Sequence, residues 1–269
     1  SGSLLSRKSI SGDLSMRVIF RIVGLLLPMV LFASASMAAN YNRTPESDIN
    51  PEIFIIDEPK VLGTKMDASL ELIDKDGKEF TLAKMLGQPL ILVLSYYTCD
   101  GSCSVINSYL AELLKDVDLI KIGADYRVLT VSFDKEDTRQ TLRDFREHLE
   151  FDDETAENWV FANLKNDEYI APFTEKFGYS YFWSPMDRTF FHPSAFMIFT
   201  SEGRLARVLY SVNVNAEDLE LGVLEAREGH FDFKPKDLVN YAISLCYSYN
   251  YKEGQYTYNI PMFVAIGSL

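Results

Sequence analysis

The chain has 269 residues, 47% of them hydrophobic, three cysteines and a formal charge of −13 at pH 7. That length and apolar share suffice for one substantial core and exclude a composition typical of disorder, so one main domain is expected. Residues 1–39 carry Arg7, Lys8, Arg17 and Arg21 against Asp13, which leaves −16 on the remainder. So acidic a body is unsuited to nucleic acid, and three cysteines are too few for a disulfide framework.

Residues 1–15 precede Met16, the only plausible start, and are set aside as a remnant or misassigned start. Arg17 and Arg21 are followed by the apolar run Ile22 to Phe32, interrupted by Gly24 and Pro28, and then by Ala33-Ser34-Ala35-Ser36-Met37-Ala38-Ala39. The order basic, apolar, small is that of a secretory signal over 16–39, with cleavage fitting after Ala35, Ala38 or Ala39. An uncleaved membrane anchor is the rival reading, and the apolar run is shorter than the ~20 residues a spanning helix needs. Residues 40–65 are rich in Pro, Asp, Glu and Asn without a sustained period, and read as a tether. The folded body is therefore expected outside the cytoplasm, periplasmic or held at the outer face of the cytoplasmic membrane.

Leu70-Glu71-Leu72-Ile73, the turn Asp74-Lys75-Asp76-Gly77 and Glu79-Phe80-Thr81-Leu82 predict a hairpin. Pro89 to Leu94 is a continuous apolar run of strand length, as in strands buried on both faces, and it leads directly into Ser95-Tyr96-Tyr97-Thr98-Cys99. After Cys103, Val105, Ile106, Tyr109, Leu110, Leu113, Leu114 and Val117 recur at helical spacing and predict one apolar helix face. Strands are then expected at Tyr126 to Phe133 and Trp159 to Ala162, alternating with helices at Thr138 to Leu149 and at Asp167 to Phe177, the latter ended by Gly178. Ala195 to Phe199 and Leu205 to Tyr210 read as strands around the turn Ser201-Glu202-Gly203-Arg204, followed by helices at Ala216 to Arg227 and Lys236 to Cys246. This order predicts an α/β, thioredoxin-like sandwich with a central mixed sheet, an extra N-terminal hairpin and C-terminal helices.

Cys99-Asp100-Gly101-Ser102-Cys103 places two thiols at a strand-to-helix junction. The unpaired N–H groups of a helix start favour the thiolate, which is both nucleophile and metal ligand. Such a pair can close to a disulfide or hold one soft ion, and in an oxidising compartment it closes unless reduced or metal-bound. Asp-Gly-Ser between the cysteines is turn chemistry and argues against two unrelated core cysteines.

The run from Leu92 through the cysteine pair, the following helix and Tyr126-Arg127-Val128-Leu129-Thr130-Val131-Ser132-Phe133-Asp134 resembles the Sco/SenC family of copper-handling, thioredoxin-fold proteins. So does Phe191-His192-Pro193-Ser194-Ala195-Phe196 before a late strand that ends in the acidic-Gly turn Ser201-Glu202-Gly203-Arg204. The resemblance spans about Ser69 to Tyr256, and a Sco/SenC domain is expected over 66–256. It implies Cys99, Cys103 and His192 as copper ligands, with Cys99 and Cys103 also a redox dithiol. The implied partner is a copper-accepting respiratory protein such as an oxidase subunit. Two family prolines are missing: Asp100 follows the first cysteine and Ser104 the second, which frees the loop backbone. Two thiolates and an imidazole suit Cu(I), and a further ligand would accommodate Cu(II); a structural zinc site would need a fourth protein ligand.

Two enzymes compete with a copper carrier. A thiol-disulfide oxidoreductase would use the same cysteines without His192. A peroxiredoxin-like peroxidase is disfavoured because Tyr96 stands where such an enzyme carries Thr. His148, in a charged helix, and His230, after Glu228-Gly229, are expected to stay outside the site. Cys246 reads as a buried free thiol. The Tyr-rich stretch Leu245 to Tyr256 resembles an ending found in one bacterial branch of the family that often continues into a membrane segment; within the apolar tail 257–269, Ile260 to Leu269 is too short to span, so either the chain is truncated or the tail packs. Tyr179, Tyr181, Phe182, Trp183, Phe190 and Phe191 crowd the approach to His192, as packing or as a docking surface for a partner.

Overall fold

The structure, a computed structural model, describes residues 48–98, 102–228, 247–250 and 254–258; side chains are described for these except at 102–104, 228, 247–250, 255, 257 and 258. Part of the stretch expected as a tether is built into the body. Pro51–Phe54 forms a 3-10 turn capped by Asn50, and helix α1 spans Glu58–Val61. Ile56 and Val61 join the core, and the buried Glu58 accepts the Val208 amide at 2.9 Å.

The expected hairpin forms as β1 (Glu71–Asp74) and β2 (Glu79–Thr81). Asp74 Oδ1 accepts the amides of Asp76 and Lys78, both at 2.9 Å, and Gly77 supplies the left-handed φ of +83° that closes the turn. β3 (Leu90–Ser95) is buried at every position. Each of its Leu, Ile and Val side chains contributes about 1.5–3 kcal/mol by leaving water. Helix α2 (Ser102–Lys115) leads to β4 (Arg127–Ser132). α3 (Arg139–Glu147) starts from a capping box in which Thr138 Oγ1 accepts the Thr141 amide and Thr141 Oγ1 accepts the Thr138 amide. α4 (Asp153–Asn158) runs into β5 (Trp159–Leu164), and a 3-10 turn at Asp167–Tyr169 precedes α5 (Ile170–Glu175). The expected helix from Asp167 is thus split, and Gly178 at φ +69° ends it.

A short hairpin unforeseen in the sequence, β6 (Phe182–Ser184) and β7 (Thr189–Phe191), precedes β8 (Ala195–Phe199) and β9 (Leu205–Tyr210). α6 (Ala216–Glu228) packs on β8 and β9. A second unforeseen hairpin, β10 (Tyr247–Asn250) and β11 (Gln255–Tyr258), is tied to α6: Asp218 Oδ1 accepts the Tyr256 amide at 2.7 Å and Glu225 accepts the Tyr256 hydroxyl at 2.6 Å. The predicted helix at Lys236 to Cys246 lies outside the described residues.

The main sheet has the order β2-β1-β5-β4-β3-β8-β9. β3, β4 and β5 run parallel, and the outer pairings are antiparallel. This is the thioredoxin-like sandwich with a mixed sheet and an added N-terminal hairpin. Among the described residues no helix is long and apolar enough to cross a membrane.

Candidate functional site

Open α/β sheets bind ligands beyond the carboxyl ends of their parallel strands. Here β3 ends at Ser95 and continues through Tyr96–Thr98 into the cysteine loop, while Cys103 is the second residue of α2. Cys99 and the Cys103 side chain lie outside the described residues. The backbone nonetheless sets Cys103 in the first helical turn, where unpaired N–H groups favour a thiolate.

Two buried polar systems lie where β3 ends and α2 begins. One turn beyond Cys103, the fully buried Asn107 donates to Ser95 Oγ at 2.9 Å and accepts from Thr130 Oγ1 at 2.9 Å. Thr130 Oγ1 in turn accepts the Trp159 indole N–H at 2.9 Å. The start of α2 is thereby tied to β3, β4 and β5. The second system holds Tyr97, two residues before Cys99: Asp137 Oδ2 accepts the Tyr97 amide and the Ser132 hydroxyl, each at 2.6 Å, and Oδ1 accepts from Thr141 Oγ1 at 3.1 Å. The Tyr97 hydroxyl donates to the Ala162 carbonyl at 2.8 Å. Burial raises the Asp137 pKa above the usual carboxylate value against the lowering effect of these bonds, and Asp134 adds to the rise. Burial, reinforced by Asp137, likewise raises the Tyr97 phenol. A cavity of about 220 Å³ beside this system is lined by Ser132, Asp134, Asp137, Asn163 and Lys165 among others.

His192 reaches the same end of the sheet from the opposite direction. β8 runs antiparallel to β3 with Val93 opposite Phe196, so the residues before β8 lie where β3 runs out toward Cys99. The imidazole is 7% exposed, and the ring of Tyr96, three residues before Cys99, stands perpendicular to it at 6.1 Å. Phe133 packs at 5.1 Å and Tyr179 is stacked at 6.0 Å. Nδ1 lies 2.8 Å from both the Tyr179 hydroxyl and the Pro193 carbonyl. The Pro193 carbonyl can only accept, which calls for a proton on Nδ1; the Tyr179 hydroxyl, with the Leu94 carbonyl 3.3 Å away to take its own proton, then accepts from the same N–H. Two acceptors around Nδ1 select the Nδ1–H tautomer, and the ring's lone pair is then on Nε2, the form in which a neutral histidine binds a metal.

His148 is exposed at the C-terminal cap of α3, and His230 and Cys246 lie outside the described residues. Among the described residues no three His, Cys, Asp or Glu side chains form a metal-sized cluster. On α2, Ile106, Leu110 and Leu113 are buried as the periodicity requires, but Val105 and Tyr109 are 60% and 37% exposed, forming an outer ridge just past Cys103. The β6–β7 hairpin carries the aromatic wall. Phe190 packs against Tyr96 at 5.0 Å and Trp183 at 5.0 Å, Tyr96 Oη and Thr189 Oγ1 are 2.8 Å apart, and Trp183 and Met186 remain exposed. Asn107, Asp137 and the Tyr179 hydroxyl were not anticipated from the sequence; a lone Asn at helical spacing within an apolar face was the one available signal.

A mixed thioredoxin-like sheet whose β3–α2 connection carries a Cys-x-x-x-Cys motif defines a protein of the thioredoxin-like class. The sequence model of the SCO1/SenC family matches residues 60–221, more than half of the chain, and the chain belongs to that family. A candidate electron transfer protein from Aquifex aeolicus VF5 is similar at 25% identity, with 64% of this chain and 98% of that one covered and a TM-score of 0.57. A candidate electron transport protein from the same organism is 25% identical over 62% of this chain and 99% of that one, with a TM-score of 0.53. A SCO1/SenC family lipoprotein from Bacillus anthracis str. Ames shares the fold at 20% identity and a TM-score of 0.51, with 59% and 92% covered. No curated protein matches the chain. The β10–β11 hairpin lies beyond the family match.

Proposed function

We propose that this chain is an exported copper metallochaperone that delivers copper to a respiratory oxidase or matures its copper site. Cys99 and Cys103 are the thiolate ligands and His192 the imidazole ligand. The observation that carries this reading is the placement of His192: buried, held through Nδ1, and touching the Tyr96 ring at the end of β3 that leads to Cys99. Membership of the SCO1/SenC family supports it, as does the softness of two sulfurs and one imidazole, a set suited to Cu(I). The leader over 16–39 supports export, with the body free or tethered at the outer face of the membrane. Copper is the cargo. The protein's own part is to keep both thiols reduced and the imidazole oriented, because a closed disulfide offers no thiolate.

The test is the copper stoichiometry of the reduced chain and of Cys99→Ala, Cys103→Ala and His192→Ala. A single copper ion per chain, lost or strongly weakened in each variant, is expected; wild-type binding in His192→Ala removes the imidazole from the proposal. The position of Cys103 in the first turn of α2 also favours a reductase reading. In that reaction one thiolate attacks a partner's disulfide, a mixed disulfide forms and a partner thiolate leaves. The second thiolate then displaces the other, leaving this chain oxidised and the partner reduced by two electrons. His192→Ala would retain that activity while losing copper.

A further inference from the structure

We propose that Tyr179 is the positioning residue of the metal site, and this rests on the reading of His192 as a ligand. Its phenol reaches the ring from the segment between α5 and β6, while His192 enters from the start of β8; the two are thirteen residues apart. Tyr179 is itself 1% exposed, so its hydroxyl needs a partner from the protein. It donates to the Leu94 carbonyl at the end of β3, five residues before Cys99. One oxygen atom thus links the strand that carries the first cysteine to the ring that supplies the nitrogen ligand.

This link does two things. Its lone pair and the Pro193 carbonyl both face Nδ1, so a ring protonated at Nε2 would set an unprotonated Nδ1 against the Pro193 carbonyl with no proton between them, and a flipped ring would set the Cδ2 carbon there. That arrangement costs about as much as a lost buried hydrogen bond, and the population with the lone pair on Nε2 dominates. The stacked phenol at 26° and the Phe133 ring at 5.1 Å also restrict ring rotation, so the donor atom is presented at one angle. A ligand prepared in this way loses less freedom when it takes up metal.

The conservative probe is Tyr179→Phe in the full chain, which keeps the stacked ring and removes the oxygen. Long-range proton–nitrogen NMR of the metal-free protein reports the tautomer directly, and the wild type is expected to show a protonated Nδ1 and an unprotonated Nε2. Tyr179→Phe is expected to keep the Nδ1–H form as the larger population, because the Pro193 carbonyl remains, but with a measurable fraction protonated at Nε2. It should bind copper about tenfold more weakly, at the lower end of the 10–100-fold range for partners of metal ligands because the Pro193 carbonyl remains. Its Cu(II) electron paramagnetic resonance spectrum should change, a response that lost fold stability alone would not give. A wild-type tautomer protonated at Nε2 overturns the proposal without need of any variant. A tautomer, affinity and spectrum all unchanged in Tyr179→Phe overturn it as well. His192→Ala separates the layers: wild-type copper affinity there removes both the ligand reading and the positioning role. Weakened binding in His192→Ala with unchanged Tyr179→Phe removes the positioning role alone.

Discussion

Asp137 gives a sharp test of how the run after β3 is held at Tyr97. In Asp137→Ala the Tyr97 amide loses its acceptor at 2.6 Å, and Tyr97 is only 5% exposed, so the group stays buried without a partner. The Ser132 hydroxyl loses a 2.6 Å bond but can turn toward the Asp134 carbonyl, and Thr141 Oγ1 already contacts the Thr138 carbonyl at 2.9 Å. One fully stranded buried group and one weakened bond amount to about 2–4 kcal/mol of lost stability. Asp137→Asn keeps an oxygen for Tyr97 and Ser132 and can donate to Thr141, so its loss should stay below about 1 kcal/mol. The two variants also separate by pH. Burial raises the folded-state pKa of Asp137, so the native state binds more protons than the unfolded chain above the unfolded value of about 3.9. Its contribution is fully present below that value and is lost as pH rises through the folded pKa, after which it is flat. Urea unfolding from about pH 4 to about pH 8 should therefore show wild type losing stability relative to Asp137→Asn as pH increases. A relative gain with pH, or an Asp137→Ala loss under about 0.5 kcal/mol, would refute the reasoning.

Asn107→Ala should cost about 2–4 kcal/mol in chemical denaturation, since it removes the acceptor of the Thr130 hydroxyl and the donor to Ser95 while opening a small cavity beside the start of α2. Gly222 lies where α6 crosses β8, and a Cβ there would sit 2.4 Å from Ile198 Cδ1. Gly222→Ala should therefore lower the melting temperature despite the better helix propensity of alanine, and adding Ile198→Val should restore it; a stabilised single variant would show that the contact yields freely.

The strands and the cysteine junction were readable in the sequence because they depend on short-range pattern. Pro89 to Leu94 is uniformly apolar, Asp74 to Gly77 has turn chemistry, and the helix after Cys103 repeats at helical spacing. The β6–β7 hairpin was not legible: its strands are three residues each, and Arg188 takes a φ of +55° at a position where glycine or asparagine would have announced the turn. The stretch 40–65 read as a tether because the contacts that fix its described part are with residues far away in the chain. Glu58 meets the Val208 amide 150 residues away, and the Ile56 amide meets the Tyr210 hydroxyl 154 residues away. Composition reports neither. The same holds for Tyr179, whose aromatic character suggested packing and whose hydroxyl acquires a role only once β3 and β8 lie side by side.

Three chain segments converge on the proposed site, and each is fixed by a different buried polar contact. Asp137 holds the run toward Cys99 through the Tyr97 amide, Asn107 holds the first turn of α2 through Ser95 and Thr130, and Tyr179 holds His192. None of these contacts shares an atom with another, so their effects should be nearly additive where the groups are far apart. If Cys99, Cys103 and His192 are the ligands as proposed, the chain segments that carry them are anchored by separate contacts from a second layer of residues, in the manner a binding constellation requires. Disturbing the Asp137 or Asn107 contact should alter the dithiol first, whereas disturbing Tyr179 should alter the imidazole first. A dithiol whose redox behaviour followed Tyr179 more than Asp137 would mean that the sheet end moves as one body, and the separate roles assigned to the three contacts would have to be merged.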